Sequence, residues 1–309
     1  MRTAFIRTLI DLARGDERIF LLVGDLGHSV VEPFAQEFPD RFINIGVAEQ
    51  NMTGVATGLA LSGKIAFTYS IGNFATLRCL EQIRNDVCYH SANVKIVSTG
   101  SGLAYGALGM THHATEDLAI MRALPNMTVV APGDITETML ATQAIVEWPG
   151  PCYLRLTKPD GPVTPQAASN FQIGKAVMIR NGSDVTLIAI GGILYNTVQA
   201  AERLERQRIQ VRVLSMHTLK PLDAEAVLAA AQETSAIITV EEHSIIGGLG
   251  SAVAEVLADS SNLSIAFKRI GINDLFCPQV GSQEYLRKAH SLSVEGIVKA
   301  VQSLMKVEY

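Results

Sequence analysis

A single acid, Glu49, interrupts a run of small and apolar residues, NIGVAEQNMTGVATGLA, at positions 44–60. An ionised carboxylate is costly to bury among residues such as Met52 and Val55, so the pattern predicts a raised pKa for Glu49. A helix-capping glutamate is the plainer explanation of an acid in a first turn, but here a turn at Asn44–Gly46 already precedes the helix. A carboxyl group that faces a ligand and holds or shares a proton explains the pattern better.

A second candidate is the histidine pair His112 and His113 in the stretch GSGLAYGALGMTHHATED, residues 100–117. The glycine-rich part of this stretch is incompatible with a regular element and predicts a loop after the strand at 94–99. In open α/β sheets, ligands bind at the loops that follow the carboxyl ends of the strands. The alternative is that both histidines are simply exposed on a loop.

Two weaker candidates lie at the same predicted edge. Asp25 ends the first strand in LLVGDLGHS, and Phe74 begins the helix that follows the third strand. Taken alone, a strand-end aspartate is often a cap or turn former, and Phe74 is as consistent with a core aromatic. The glycines of GGLG at 247–250 permit a phosphate loop, but their spacing favours a tight turn or an interface loop.

The elements that must position these residues follow from the alternation of short apolar runs with helical patterns. The predicted strands of the first part are 19–24, 41–45, 64–69, 94–99, 127–132 and 152–156. The predicted helices between them are 3–13, 47–62, 75–88, 115–123 and 134–146. This alternation predicts an α/β fold with a mainly parallel sheet and helices on both faces.

The stretch TKPDGPVTPQAASNFQIGKA, residues 157–176, is rich in Pro, Gly, Ser and Thr and breaks this rhythm. The alternation then resumes, with predicted strands at 184–190, 210–215, 236–240 and 264–270 and helices near 195–207, 223–233, 248–258 and 293–305. We therefore expect a first domain over residues 1–160, a linker over 161–182, and a smaller α/β domain over 183–309.

Composition excludes several classes of protein. The 309 residues are 48% hydrophobic and 18% charged, which is typical of a globular protein. A net charge of −5 gives no reason to expect nucleic acid or an anionic membrane as partner. The N-terminus predicts an amphipathic helix and not a signal peptide. The four cysteines have neither metal-ligand nor disulfide spacing, so we expect a reducing, cytoplasmic location and no metal site in this chain.

Taken together, these stretches resemble the C-terminal half of transketolase, namely its pyrimidine-binding domain followed by its C-terminal domain. The resemblance covers nearly the whole chain, and it rests on INIGVAEQNMTGVATGLA, FATLRCLEQIRND, THHATEDLAIMRALPNMTVVAPGD, HTLKPLD and VEEHSIIGGLGSAVAEVLAD. The first and third motifs in combination are specific to thiamine-diphosphate enzymes of the transketolase-like group. That group includes deoxyxylulose-phosphate synthase and the beta subunits of 2-oxo-acid dehydrogenases.

The resemblance implies roles for the candidates. Glu49 matches the glutamate that hydrogen-bonds the aminopyrimidine ring of thiamine diphosphate and so promotes ionisation of the thiazolium carbon. Phe74, with Tyr69, is expected to stack on that ring, although the aromatic spacing differs from the family by a residue or two. His112 matches a histidine that contacts the substrate oxygen, and Asp25 matches an aspartate near the cofactor.

The resemblance also implies a site for the phosphate of a sugar. Arg2, Ser29 and Lys158 match positions that hold the substrate phosphate in transketolases. Arg155 lies close by, at a position where deoxyxylulose-phosphate synthases carry an arginine.

Three positions depart from the family. Leu108 stands four residues before His112, where an aspartate usually reads a sugar hydroxyl. Gly100 and Ser101 stand where transketolases and deoxyxylulose-phosphate synthases offer a histidine or an arginine to the phosphate. These departures predict that the standard pentose phosphates are poor substrates and that a modified ketose is preferred, unless Tyr105, Thr111, His113 or the partner chain replaces the lost contacts.

The Gly-Asp-Gly motif, through which the family binds the diphosphate with Mg²⁺ or Ca²⁺, does not occur in this chain. The chain also begins close to the start of the pyrimidine domain. We therefore predict the C-terminal subunit of a split transketolase, with the metal and the diphosphate held by a separate N-terminal subunit and two copies of each chain in the assembly. The alternatives are a deoxyxylulose-phosphate-synthase-like subunit, a 2-oxo-acid dehydrogenase beta-type subunit, or a non-catalytic regulatory subunit.

Overall fold

The computed structural model of the protein describes residues 1–158, 160–163, 171–260 and 264–306. The first part contains, in chain order, α1 (Arg2–Gly15), β1 (Ile19–Val23), α2 (Glu32–Glu37), β2 (Phe42–Asn44), α3 (Glu49–Leu61), β3 (Ile65–Ile71), α4 (Gly72–Ala75), α5 (Leu80–Gln82), β4 (Val94–Thr99), α6 (Asp117–Ala123), β5 (Thr128–Val130), α7 (Ile135–Glu147) and β6 (Cys152–Arg155). The second part contains β7 (Val177–Arg180), β8 (Val185–Ile190), α8 (Leu194–Glu205), β9 (Val211–Ser215), β10 (Thr218–Lys220), α9 (Ala224–Glu233), β11 (Ala236–Ser244), α10 (Leu249–Asp259), β12 (Ala266–Ile272), α11 (Gln283–Ala289) and α12 (Val294–Met305).

The first sheet has seven strands in the order β10-β5-β6-β4-β3-β1-β2. The strands β1 to β6 pair in parallel, and β10 pairs with β5 in the antiparallel sense. Because parallel strands end at one edge of their sheet, the loops after β1, β2, β3 and β4 all leave from the same edge. This is the edge at which the predicted site residues lie.

Helices cover both faces of the first sheet, which explains why its strands are nearly continuous apolar runs. On one face, Phe5 of α1 shares a core with Phe67 and Val97. On the opposite face, Met52 of α3 belongs to a second core, which continues into the second part of the chain through residues such as Ile188. The two parts of the chain therefore pack through a common apolar core.

The second sheet has five strands in the order β12-β11-β8-β9-β7, parallel except for β7. With the first sheet it confirms the predicted α/β class with two doubly wound, mainly parallel sheets. The predicted linker over 161–182 falls in part on residues 164–170, which lie outside the described residues.

Four elements were not predicted from the sequence: α2, β7, β10 and α11. The most consequential is β10, because this three-residue strand of the second part extends the first sheet through the pairing of Thr218 with Val130. The helix predicted over 75–88 is instead a chain of short helical pieces, in which a 3-10 turn (Leu77–Cys79) and a π-helix (Ile83–Cys88) flank α5. No helix in the described ranges is long and apolar enough to cross a membrane.

Candidate active site

Glu49 is the first residue of α3, which follows the turn after β2. Gly46 makes that turn with a φ of 75°, and its N–H donates to the side chain of Asn44 at 2.9 Å. The Glu49 side chain points into the protein and is 1% exposed. The Ser70 hydroxyl donates to its Oε1 at 3.1 Å, and a side chain at Gly24 would begin 3.2 Å from the same oxygen. The carboxylate thus lies above the ends of β1 and β3.

The second oxygen of Glu49 is paired with Arg78, a residue that the sequence analysis missed. The Arg78 guanidinium donates through Nη1 to Glu49 Oε2 at 2.7 Å, and its central carbon lies 4.4 Å from the centroid of the Phe74 ring. The expectation of a lone carboxylate among apolar groups is therefore wrong. The signal available was the spacing, since a cation four residues after an aromatic residue can reach the same face of a helical turn.

The two histidines after β4 have different environments. His112 is half-buried, and its ring lies 5.3 Å from the Phe74 ring, nearly perpendicular to it. His113 points inward, with Nε2 at 3.3 Å from the carbonyl oxygen of Gly106. The structure therefore brings Glu49, Arg78, Phe74 and His112 into one continuous row of contacts, which we call the Glu49 row.

Tyr69 does not belong to this row. Neighbouring residues of a strand point to opposite faces, and Ser70 points to Glu49, so Tyr69 points to the other face of the sheet. There its ring stacks on Phe5 at 6.0 Å and is fully buried, and this burial raises the pKa of its hydroxyl to about 12. The expectation that Tyr69 stacks on a cofactor ring together with Phe74 is therefore wrong.

Asp25 and Ser29 lie on the loop after β1, and both have a left-handed backbone, with φ of 54° and 63°. Asp25 is exposed and accepts a hydrogen bond from the Asn44 side chain at 3.0 Å. Ser29 is exposed, and its N–H donates to Glu32 at 2.8 Å. Both residues lie at the expected edge of the sheet, and these contacts fix the loop itself.

A basic cavity of about 230 Å³ lies beside the end of β4. Its lining includes Arg2 and Lys158, the two cations predicted for a phosphate, together with Thr99, Gly100 and Tyr105. Tyr105 also lies 6.5 Å from the His112 ring, so it separates the cavity from the Glu49 row. Two of the predicted phosphate-binding residues therefore meet in one cavity next to the candidate site.

Packing explains the departures at Gly100 and Ser101. A Cβ at Gly100 would lie 1.9 Å from the Tyr105 ring, so the space of a side chain at position 100 is taken by Tyr105. Ser101 is fully buried, with its hydroxyl 3.0 Å from that of Ser98. Leu108 is 56% exposed on a 3-10 turn.

Arg155 is buried, and its guanidinium hydrogen-bonds to other groups of the protein. Its Nε donates to Asp117 at 2.7 Å, and its Nη2 donates to the carbonyl oxygens of Ala114 at 2.9 Å and of Glu242 at 3.2 Å. Burial alone would raise the pKa of Asp117, but the Arg155 guanidinium holds it below its ordinary value. The expectation that Arg155 binds substrate is therefore wrong, since it joins the two parts of the chain.

The second domain supplies no group to the Glu49 row among the contacts described. Glu242 accepts from the Leu103 N–H at 2.6 Å and pairs with Arg287, and Glu241 accepts from two N–H groups at the start of α10. Among the described residues there is no cluster of three His, Cys, Asp or Glu side chains that could hold a metal ion.

The sequence matches two protein families along its length. Residues 1–163 match the transketolase pyrimidine-binding domain, and residues 174–297 match the transketolase C-terminal domain.

Three curated relatives match nearly end to end. A putative transketolase C-terminal section from Methanocaldococcus jannaschii is 43% identical, over 100% of this chain and 97% of its own. The 6-deoxy-6-sulfo-D-fructose transketolase subunit SqwH of Clostridium sp. is 40% identical, over 98% and 94%. One of the apulose-4-phosphate transketolase subunits of Phocaeicola vulgatus is 40% identical, over 99% and 97%.

A similar solved structure is described as a split gene transketolase, inactive beta4 tetramer. It is 39% identical and superimposes with a TM-score of 0.90, covering 100% of this chain and 99% of the other.

Proposed function

The chain belongs to the transketolase family, and we propose that it is the C-terminal subunit of a split transketolase that transfers a two-carbon ketol unit from a modified ketose to an aldose. The observation that carries this proposal is the Glu49 row, in which a buried carboxylate, an aromatic ring and a histidine follow three parallel strands of one sheet, β2, β3 and β4. The end-to-end similarity to chains named as transketolase subunits supports the division into two chains.

The Glu49 row fits the pyrimidine ring of thiamine diphosphate. The guanidinium of Arg78 is a flat cation that donates to Glu49 and lies over Phe74, so this place already accepts a planar group of that character. Glu49 would hold or share the proton at the ring nitrogen, and Phe74 would fix the plane of the ring. When bound, the cofactor supplies the carbon nucleophile that the protein itself lacks.

His112 and the basic cavity would orient the sugar. His112 borders Phe74 on the open side of the row, where it can hydrogen-bond an oxygen of the substrate. Arg2 and Lys158 would bind an anionic group at the far end of the sugar, with Tyr105 lying between the two places. Asp25 and Ser29 remain candidates for cofactor and substrate contacts, on the loop beside this edge.

The sugar would differ from the standard pentose phosphates. Leu108 provides no carboxylate for a sugar hydroxyl, and Tyr105 fills the space of a side chain at position 100. Two relatives of similar identity are named for a sulfonated sugar and a sugar phosphate, 6-deoxy-6-sulfo-D-fructose and apulose 4-phosphate. Both of these sugars carry an anion, which suits Arg2 and Lys158.

The partner would be an N-terminal subunit that holds the diphosphate and its Mg²⁺ or Ca²⁺, with two copies of each chain. No Gly-Asp-Gly motif occurs in the sequence of this chain. The related chain described as an inactive beta4 tetramer supports the view that this type of subunit associates with itself and needs its partner for activity.

Reconstitution tests the proposal. The full chain, mixed with the candidate N-terminal subunit, thiamine diphosphate and Mg²⁺, should transfer ketol units from 6-deoxy-6-sulfo-D-fructose or apulose 4-phosphate, whereas neither chain alone should do so. Xylulose 5-phosphate should be a poor donor in the same assay. Turnover by this chain without any partner would contradict the split enzyme, and a preference for xylulose 5-phosphate would contradict the assignment of the sugar.

A further inference from the structure

Arg78 holds both groups that the proposed function assigns to the cofactor ring. Its Nη1 binds Glu49, and its guanidinium lies over Phe74 within the distance of a cation–π contact. We propose that Arg78 is a placeholder for the pyrimidine ring, which pairs with Glu49 only while thiamine diphosphate is absent and moves to solvent when the cofactor binds. This inference rests on the proposed function, since it assigns Glu49 and Phe74 to the same ring.

The first argument is the cost of leaving the buried Glu49 carboxylate without a cation. Glu49 is 1% exposed, and its only other side-chain partner among the described residues is the neutral hydroxyl of Ser70. Removing the cation from a buried ion pair strongly destabilises the fold, because neither the protein nor water then compensates the charge of the carboxylate. Arg78 removes this penalty in the cofactor-free chain.

The second argument is that the Arg78 guanidinium and the cofactor ring cannot occupy the same position. Ser70 donates to Oε1 of Glu49, and Gly24 packs against the same oxygen. Arg78 donates to Oε2 of Glu49. A ring nitrogen that binds the same carboxylate and stacks on Phe74 therefore meets a place that the guanidinium already fills. The two planar groups compete for one position.

The third argument is the access of the Arg78 guanidinium to solvent. The Arg78 side chain is 41% exposed although its partner is buried, so the guanidinium already borders solvent. The residue lies in the 3-10 turn between α4 and α5. Because these helical pieces are short, its side chain does not lie along the surface of a continuous helix. Release requires only rotation of a long side chain, with no movement of Glu49 or of the sheet.

The test compares Arg78→Met with Arg84→Met, which removes the same charge from an exposed arginine six residues further along. The affinity for thiamine diphosphate with Mg²⁺ is measured by titration calorimetry on the reconstituted complex. Loss of the competing charge-assisted bond should tighten cofactor binding by about tenfold in Arg78→Met, and Arg84→Met should match the wild type.

Thermal unfolding of the full chain alone gives the second readout. Arg78→Met should lower the melting temperature, and adding Glu49→Gln to it should restore most of the loss, because the amide needs no cation. Arg78→Lys keeps the charge and should fold even where Arg78→Met does not, with cofactor affinity between the two.

The outcomes separate the two proposals. Unchanged or weaker cofactor binding in both Arg78 variants, beside a wild type that binds tightly, would overturn the placeholder role and leave the proposed function intact. A wild-type complex that binds no thiamine diphosphate would overturn the proposed function and this inference with it.

Discussion

Two arginine–carboxylate pairs in the first domain have the same 2.7 Å contact but opposite surroundings. In the Asp117–Arg155 pair both side chains are buried, and Tyr153 and two backbone carbonyl groups complete the hydrogen bonding. In the Glu49–Arg78 pair the acid is buried and the arginine is 41% exposed. The Asp117–Arg155 pair, here called the closed pair, joins the two parts of the chain, whereas in the Glu49–Arg78 pair, here called the open pair, the cation borders solvent. The two pairs therefore share a contact distance and differ in the exposure of the arginine.

The largest expected effect comes from breaking the open pair at its acid. Glu49→Gln should leave the fold intact and reduce ketol transfer by about 10²–10⁴-fold, because an amide has the same shape but cannot hold or share the proton. Steady-state kinetics of the reconstituted, cofactor-saturated complex measure this loss. Glu81→Gln, an exposed acid in the neighbouring helical segment, should be without effect. Normal turnover of Glu49→Gln would remove Glu49 from the chemistry.

Breaking the closed pair should instead affect stability. Asp117→Asn leaves the Arg155 guanidinium buried without its carboxylate, which should cost about 3–5 kcal/mol of unfolding free energy. Urea denaturation of the isolated chain measures it. The control is Asp11→Asn, which breaks the exposed pair with Arg14 and should leave the unfolding free energy nearly unchanged, because solvent screens that pair. Equal losses in the two variants would contradict the distinction between closed and exposed pairs.

The basic cavity beside the open pair should respond through substrate binding. Lys158→Met should raise the KM for an anionic ketose by about tenfold and leave kcat nearly unchanged, since one charge-assisted contact is lost. Lys288→Met, on the exposed surface of α11, is the matched control. A neutral ketose should show no difference between the two variants. Unchanged KM for the anionic sugar would place its charged group elsewhere.

The smallest expected effect concerns the pH dependence of the unfolding free energy, through a histidine beside the closed pair. His243 lies 3.9 Å from Asp117, and burial lowers its pKa to about 4. The unfolded chain therefore binds more protons than the folded chain between pH 4 and 6.5, so this histidine removes stability as the pH falls through that range. Glu241 is 3.6 Å away and acts in the opposite direction, because burial raises its pKa to about 7.

His243→Asn should isolate the first contribution. Relative to the wild type, the variant should gain about 1 kcal/mol of unfolding free energy for each unit by which the pH falls between about 6 and 5. Urea denaturation at several pH values measures this slope. A constant difference between variant and wild type across the range would show that His243 does not titrate on unfolding.

The pattern of elements was sufficient to predict that Glu49, Phe74 and His112 gather at one edge of the first sheet. These residues follow three parallel strands of one sheet, and parallel strands end together, so their common edge could be predicted from the alternation of strands and helices. The family membership, confirmed by the matches along the chain, follows from the same motifs.

Orientation and distant partners could not be predicted in this way. Strand alternation states that Tyr69 and Ser70 face opposite sides, but only the packing of Phe5 decides which side receives the tyrosine. The burial of Arg155 depends on Asp117, which is 38 residues away in the sequence. The contact of Arg78 with Phe74 could have been predicted from their four-residue spacing, but its pairing with Glu49, 29 residues away in the sequence, could not.

The strand β10 has a consequence for any attempt to divide the chain. It closes the outer side of β5, and the N–H of Ala131 donates to the carbonyl oxygen of His217 at 2.7 Å. A fragment that ends at residue 163 would expose the hydrogen-bonding groups of Thr128–Val130, a strongly β-forming triplet at a bare sheet edge. Such an edge can recruit strands from other molecules, so the fragment should aggregate more readily than the intact chain. The second domain thus covers an edge of the first sheet that would otherwise be open to pairing.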